Sequence, residues 1–163
     1  MVIFDLDMTL VDTSITEHLR EMRQWNKVYS LIDKMTLYPE MKQLSDLFHS
    51  LGVKIAVVTN SPSQYATKVL NHFNLHYDTL IAYHDVNQRK PDTQPYEMAI
   101  QRFQPSEVKK VLVFGDKLDD MIPAKKMNLL SCACLWSVAD NLKQDFLDMN
   151  LNYYPGFSVR VFW

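Results

Sequence analysis

The sequence predicts an α/β fold: a mostly parallel sheet with helices on both faces. Short apolar runs alternate with stretches of helical period. The runs are nearly unbroken in apolar residues, as parallel strands covered on both sides are. Turn residues separate them, and the three glycines, Gly52, Gly115 and Gly156, all fall between predicted elements.

Met1–Phe4 reads as a short buried strand. Over 14–34, Ile15, Leu19, Met22, Tyr29 and Ile32 keep a helical spacing, so one long helix is expected there. Pro39 interrupts it. Residues 39–50 form a second helix, with Gly52 near its C-terminal cap. Val53–Val58 is a strand apart from Lys54, 63–73 a helix, and Leu80–Tyr83 a short strand. Residues 93–103 form a helix with Pro91 and Pro95 near its start. Val111–Phe114 is a strand, 118–127 a helix, Leu130–Leu135 a strand and 138–148 a helix. The tail 149–163 is aromatic and reads as irregular.

A chain of 163 residues fits one domain, 1–163, and is long enough to bury a core. With 47% hydrophobic and 12% aromatic residues it is a globular, not a disordered, composition. The net charge of −2 gives no global attraction to nucleic acid or an anionic membrane, so nucleic acid is not expected as a partner. No apolar stretch is long enough to cross a bilayer. Cys132 and Cys134 stand at i and i+2 on an apolar strand, a poor geometry for a disulfide, and read as small core residues. Two cysteines and no secretory signal give a cytoplasmic expectation.

The chemistry gathers at the ends of the strands. Asp5 and Asp7 follow the first run at i and i+2. On an extended chain they face the same way, with Cα atoms about 6.5–7 Å apart. Two carboxylates so close repel each other unless a cation or a shared proton intervenes. Thr59-Asn60-Ser61 follows the Val53–Val58 run and offers hydroxyl and N–H donors for an anion. Arg89-Lys90-Pro91 follows the third strand. Gly115-Asp116-Lys117-Leu118-Asp119-Asp120 follows Val111–Phe114. Each has an ordinary explanation as a cap, a turn or a solvated charge. All four sit just after a buried strand, and the carboxyl ends of parallel strands are where α/β proteins bind ligands. The four therefore converge on one edge of one sheet.

With these four runs the chain resembles the haloacid dehalogenase-like superfamily, on its phosphatase side, over roughly residues 1–135. The resemblance implies a three-layer Rossmann-like domain, bound Mg²⁺, and hydrolysis of phosphomonoesters through an aspartyl phosphate on Asp5. It implies Asp7 as general acid and then base, Thr59 as a phosphoryl hydrogen-bond donor, and Lys90 as the neutralising cation. It implies metal binding by Asp5, Asp116 and the Asp7 backbone carbonyl, with Asp120 orienting a metal-bound water and Asp119 the weaker candidate for that role. Asn60 and Met8 are expected beside the substrate. Met8 stands where many relatives carry glycine. Asp7 argues for phosphate-ester chemistry, because the superfamily's dehalogenases lack an acid there.

Relatives often insert a large helical cap between the first two motifs. Here 13–37 has room only for a short helical insertion, which implies an open site. Such a site admits a small phosphomonoester or a phosphoprotein, or is closed by a second copy of the chain. Trp25 falls off the apolar stripe, as either a packing residue or a contact patch. Arg89, Lys90 and Lys117 are expected near the mouth, and Lys125 and Lys126 on a solvated helix face. The alternatives are a phosphotransferase or mutase of the same fold, or a non-catalytic phosphate-binding or regulatory protein.

Overall fold

The computed structural model describes residues 1–38, 41–105, 108–136 and 159–162. Its strands are β1 (Val2–Phe4), β2 (Val11–Asp12), β3 (Thr36–Leu37), β4 (Ile55–Val58), β5 (Thr79–Ile81), β6 (Leu112–Gly115), β7 (Leu130–Cys134) and β8 (Val159–Phe162). Its α-helices are α1 (Glu17–Glu21), α2 (Trp25–Tyr29), α3 (Met41–Ser50), α4 (Ser63–His72), α5 (Gln94–Phe103) and α6 (Leu118–Lys126). The main sheet runs β5-β4-β1-β6-β7-β8. The first five strands are parallel, and β8 joins β7 antiparallel.

Alternation along the strands builds two apolar layers. Val2, Phe4, Ile55 and Val57 pack on one face with Tyr65, Ala66, Val69 and Leu70 of α4 and with Leu44 and Phe48 of α3. Ile3, Ala56, Val58 and Val113 pack on the other with Tyr96 and Ala99 of α5 and Ala124 of α6. Val2, Ile3 and Phe4 are all buried, and burying each such side chain is worth about 1.5–3 kcal/mol. β1 is thus the axis of the sheet, with Phe4 level with Val57 on β4 and Phe114 on β6. Whatever follows Phe4 emerges at the centre of the sheet's carboxyl edge.

The insertion differs from the expected long helix. Residues 14–34 form two five-residue helices, α1 and α2, flanked by 3₁₀ turns at Ser14–Thr16 and Ile32–Lys34. The break falls at Arg23, which takes a left-handed φ of 55°, a conformation that no α-helix continues through. An antiparallel pairing of β2 with β3 ties the ends of the insertion together. Two-residue strands carry no periodic signal, so this ribbon was not readable from the sequence. The tail also departs from expectation, because Val159–Phe162 is a strand and not irregular. The helix expected at 138–148 lies outside the described residues. Cys132 and Cys134 are buried and free, as expected of core positions.

Candidate active site

Asp5 leaves β1 at the sheet's edge and donates its N–H to the carbonyl of Phe114 (2.9 Å). Its carboxylate is buried, and Oδ1 accepts from Lys90 Nζ at 2.6 Å. Lys90 is buried as well. Its ammonium donates to Asp5, to Asp120 Oδ1 (2.6 Å) and to the Val58 carbonyl (2.8 Å). That accounts for all three of its protons. Asp120 accepts the Lys117 N–H on its other oxygen (3.1 Å). Asp116 is buried and accepts the Thr9 hydroxyl (3.2 Å).

Asp5, Asp116 and Asp120 each place a carboxylate oxygen within 4.8 Å of the other two. Three carboxylates against the one Lys90 ammonium leave a formal charge of −2 in a buried place. The electrostatics show the imbalance. Burial pushes Asp5 up to about 7; Lys90 opposes the rise, and Asp120 and Asp7 add to it. Burial, then Asp5 and Asp120, push Asp116 up to about 8. Burial works against the Lys90 ammonium, yet Asp120 and Asp5 hold it well above the ordinary lysine value. Hard oxygen donors with an excess of two negative charges fit a divalent, oxygen-preferring cation.

Gly115 makes this packing feasible. A Cβ on it would overlap the Cβ and carboxylate of Asp120. Asp120 lies against the bare Cα and reaches Lys90. Asp119, on the exposed side of α6, only lines the cavity.

Asp7 sits in a separate cage. Its oxygens accept from Ser61 Oγ (2.6 Å), Tyr65 Oη (2.7 Å) and Arg20 Nη1 (2.9 Å). Arg20 reaches it from α1 and also donates to Thr13 Oγ1 (3.0 Å). Burial, then the negative charge of Asp7, raises the Tyr65 phenol far above its usual value, so it stays a donor. Neither Arg20 nor Tyr65 stood out in the sequence. Arg20 lies in an ordinary charged helix, and Tyr65 occupies an apolar position of α4. Ser61 was visible only as part of the Thr59–Ser61 run.

Thr59 is buried, and its hydroxyl accepts the Ser61 N–H (3.0 Å). Asn60 donates from Nδ2 to the Lys90 carbonyl (2.9 Å) and so ties the second run to the third. Asp5, Asp7, Thr59, Asn60, Lys90, Asp116 and Asp120 line one cavity of about 240 Å³. Met8 is not among the residues lining it. It takes a left-handed φ of 65°, and its sulfur lies 4.0 Å from the Tyr38 hydroxyl. That backbone conformation is the physical reason a glycine suits this position. Trp25 packs against Tyr29 and Tyr65. Lys117 lines the cavity, whereas Lys125 and Lys126 are exposed and outside its lining.

Comparison with known proteins gives the family of the chain. The model of the haloacid dehalogenase-like hydrolases matches residues 15–134. The chain belongs to the haloacid dehalogenase-like hydrolase family. The matched span contains the second, third and fourth runs; Asp5–Thr9 lies just before it and joins the others through the geometry above. A phosphoglycolate phosphatase of Aquifex aeolicus is 27% identical over 101 residues, covering 61% of this chain and 47% of its own. A pyrophosphatase, PpaX, of Oceanobacillus iheyensis is 25% identical over 104 residues, covering 64% of this chain and 47% of its own. The chain spans about half the length of the curated relatives it matches. Among solved structures, CbbY of Rhodobacter sphaeroides superposes with a TM-score of 0.69 at 16% identity, over 80% of this chain and 83% of that one. A family hydrolase of Ehrlichia chaffeensis gives 0.64 at 21% identity, over 80% and 84%. These likenesses bear on the fold. Among the described residues, no helix is long and apolar enough to cross a membrane.

Proposed function

We propose that the protein is a Mg²⁺-dependent phosphatase that hydrolyses phosphomonoesters through an aspartyl phosphate on Asp5. The observation that carries this reading is the buried Asp5–Lys90–Asp120 chain beside Asp116, with Asp7 held separately at the same mouth. The relatives' names, a phosphoglycolate phosphatase and a pyrophosphatase, support phosphate-ester or phosphoanhydride chemistry.

Asp5 attacks phosphorus, the bond from phosphorus to the leaving oxygen breaks, and Asp7 delivers the proton that oxygen needs. Water then attacks the aspartyl phosphate, Asp7 takes its proton, and the bond from Asp5 to phosphorus breaks to release inorganic phosphate. Lys90 holds Asp5 in place and offsets the charge that gathers on the transferring group. Thr59 and the backbone N–H groups after β4 serve the phosphoryl oxygens. Asp5 and Asp116 would hold Mg²⁺, together with the Asp7 carbonyl. Both oxygens of Asp120 already accept hydrogen bonds, which suits it to orienting Lys90 and solvent. When bound, the metal supplies positive charge against the phosphoryl oxygens and the nucleophile.

The test is hydrolysis of p-nitrophenyl phosphate with Mg²⁺ or with EDTA, in the parent, Asp5→Asn and Asp7→Asn. Metal-dependent turnover lost in both variants supports the reading. Turnover retained in Asp5→Asn would sink it.

A further inference from the structure

Trp136 stands just past the end of β7, outside the span that the family model matches and outside all four strand-end runs. It is half-buried, and its ring lies against that of Tyr38, the residue that follows β3 (centroids 5.2 Å apart). Its indole N–H donates to the carbonyl of Met8 at 3.0 Å, across 128 residues. Buried indoles commonly find an acceptor. This acceptor is unusual, because it belongs to the residue between Asp7 and Thr9, which has a φ of 65°.

The turn that holds Met8 is folded largely by its own amides. Leu10 and Val11 both donate to the Leu6 carbonyl (3.0 and 3.2 Å), and Met8 donates to the Val11 carbonyl (2.8 Å). The last of these bonds holds the peptide plane before Met8, which also carries the Asp7 carbonyl. The plane after Met8 carries the Met8 carbonyl and the Thr9 N–H, and Trp136 holds it from outside the turn. Peptide units are planar, so two held planes set both dihedrals of the residue between them. Met8 is thereby kept in the left-handed region, which glycine enters freely and a side chain with a Cβ avoids. Rotation of the first plane would re-aim the Asp7 carbonyl. Rotation of the second would swing Thr9, whose hydroxyl donates to Asp116 (3.2 Å).

We infer that Trp136 is a positioning residue for the metal site: its indole N–H fixes the Met8 peptide, and through it the Asp7 carbonyl and the Thr9–Asp116 bond. The inference rests on the reading that Asp5, Asp116 and the Asp7 carbonyl hold Mg²⁺, and it adds a residue from beyond the matched span. Trp136 does not line the cavity of about 240 Å³, so its effect reaches the site through the backbone. A tryptophan that only packed against Tyr38 would leave metal affinity unchanged when its N–H was removed.

The experiment is calorimetric titration of Mg²⁺ into the parent, Trp136→Phe, Met8→Gly and the double variant. Phenylalanine keeps a ring against Tyr38 and removes the donor. Trp136→Phe should bind Mg²⁺ about tenfold more weakly than the parent, the low end of what a group supporting metal ligands is worth. In the Met8→Gly background the same change should cost less than about twofold, because glycine holds a positive φ without an outside tie. A measurement on the parent needs no variant at position 136. The coupling is reciprocal, so saturating Mg²⁺ should slow hydrogen exchange of the Trp136 indole N–H about tenfold. Its NMR signal is identified among the three tryptophans by substituting the other two, Trp25 and Trp163. Equal Mg²⁺ affinity in the parent and Trp136→Phe, an equal loss in the Met8→Gly background, or indole exchange indifferent to Mg²⁺ would overturn the inference and leave the metal reading standing. A parent that binds no Mg²⁺ would overturn both. Mg²⁺ binding that depends on Trp136, without turnover of p-nitrophenyl phosphate, would refute the phosphatase reading alone.

Discussion

Lys90→Met removes the ammonium that pairs with Asp5 and Asp120 in a buried group of three carboxylates, while keeping an apolar side chain of similar reach. Its ammonium makes two bonds of 2.6 Å to buried carboxylates and one of 2.8 Å to a carbonyl. Breaking a buried ion pair by deleting one partner costs about 3–5 kcal/mol. One effect softens the loss here. Asp5 and Asp116 already lie near neutrality, at about 7 and about 8, so they take up protons with little penalty once Lys90 is gone. The lower end, about 3 kcal/mol, is therefore expected in metal-free urea unfolding at neutral pH. Mg²⁺ should recover part of it by replacing the missing charge. Turnover should fall about 10²–10³-fold, the usual effect of removing one electrostatic contact to the transition state. A Lys90→Met protein within about 0.5 kcal/mol of the parent in metal-free urea, the range of an ordinary surface change, would mean that Lys90 does not hold these carboxylates together.

Mg²⁺ at about 100 times its Kd should stabilise the parent by about 2.7 kcal/mol, a rise in Tm of about 5–10 °C by calorimetry, and Asp116→Asn should lose most of that rise. Gly115→Ala should cost about 1–3 kcal/mol in chemical unfolding and cut turnover further than the stability loss explains, because the new methyl displaces Asp120 from Lys90; a silent substitution would mean the β6–α6 turn is looser than described. Tyr65→Phe removes one donor from Asp7 and should lower kcat more than it raises KM, in steady-state assays of p-nitrophenyl phosphate.

The strands that position the site were legible because each is buried on both faces and so appears as a run of apolar residues. Val53–Val58 is trimmed to Ile55–Val58, and Val111–Phe114 is shifted by one residue to Leu112–Gly115. Asp5, Lys90 and Asp116 were legible for a related reason: each follows such a run, and parallel strands bring their carboxyl ends to one edge. What failed was local. The spacing of Leu19, Met22, Tyr29 and Ile32 describes an apolar face but cannot report that Arg23 turns left-handed between them. The cage around Asp7 was equally hidden. Tyr65 counts as one apolar position among several on α4, and only the folded chain shows its hydroxyl reaching across 58 residues to a carboxylate. Arg20 belongs to a helix of five residues, too short for its spacing to say which way it points.

The central position of β1 has a consequence for synthesis. The contacts that complete the site are spread over the chain: Lys90 meets Asp5 across 85 residues, and Thr9 meets Asp116 across 107. A nascent chain that has emerged as far as α5 carries Asp5 and Lys90, but neither β6 on the open side of β1 nor Asp116 and Asp120. Such an intermediate lacks two of the three carboxylates that could together hold a divalent ion. If the proposed chemistry holds, a product that ends before β6 should not turn over phosphate esters, and the appearance of activity would report that the sheet has closed around its own first strand.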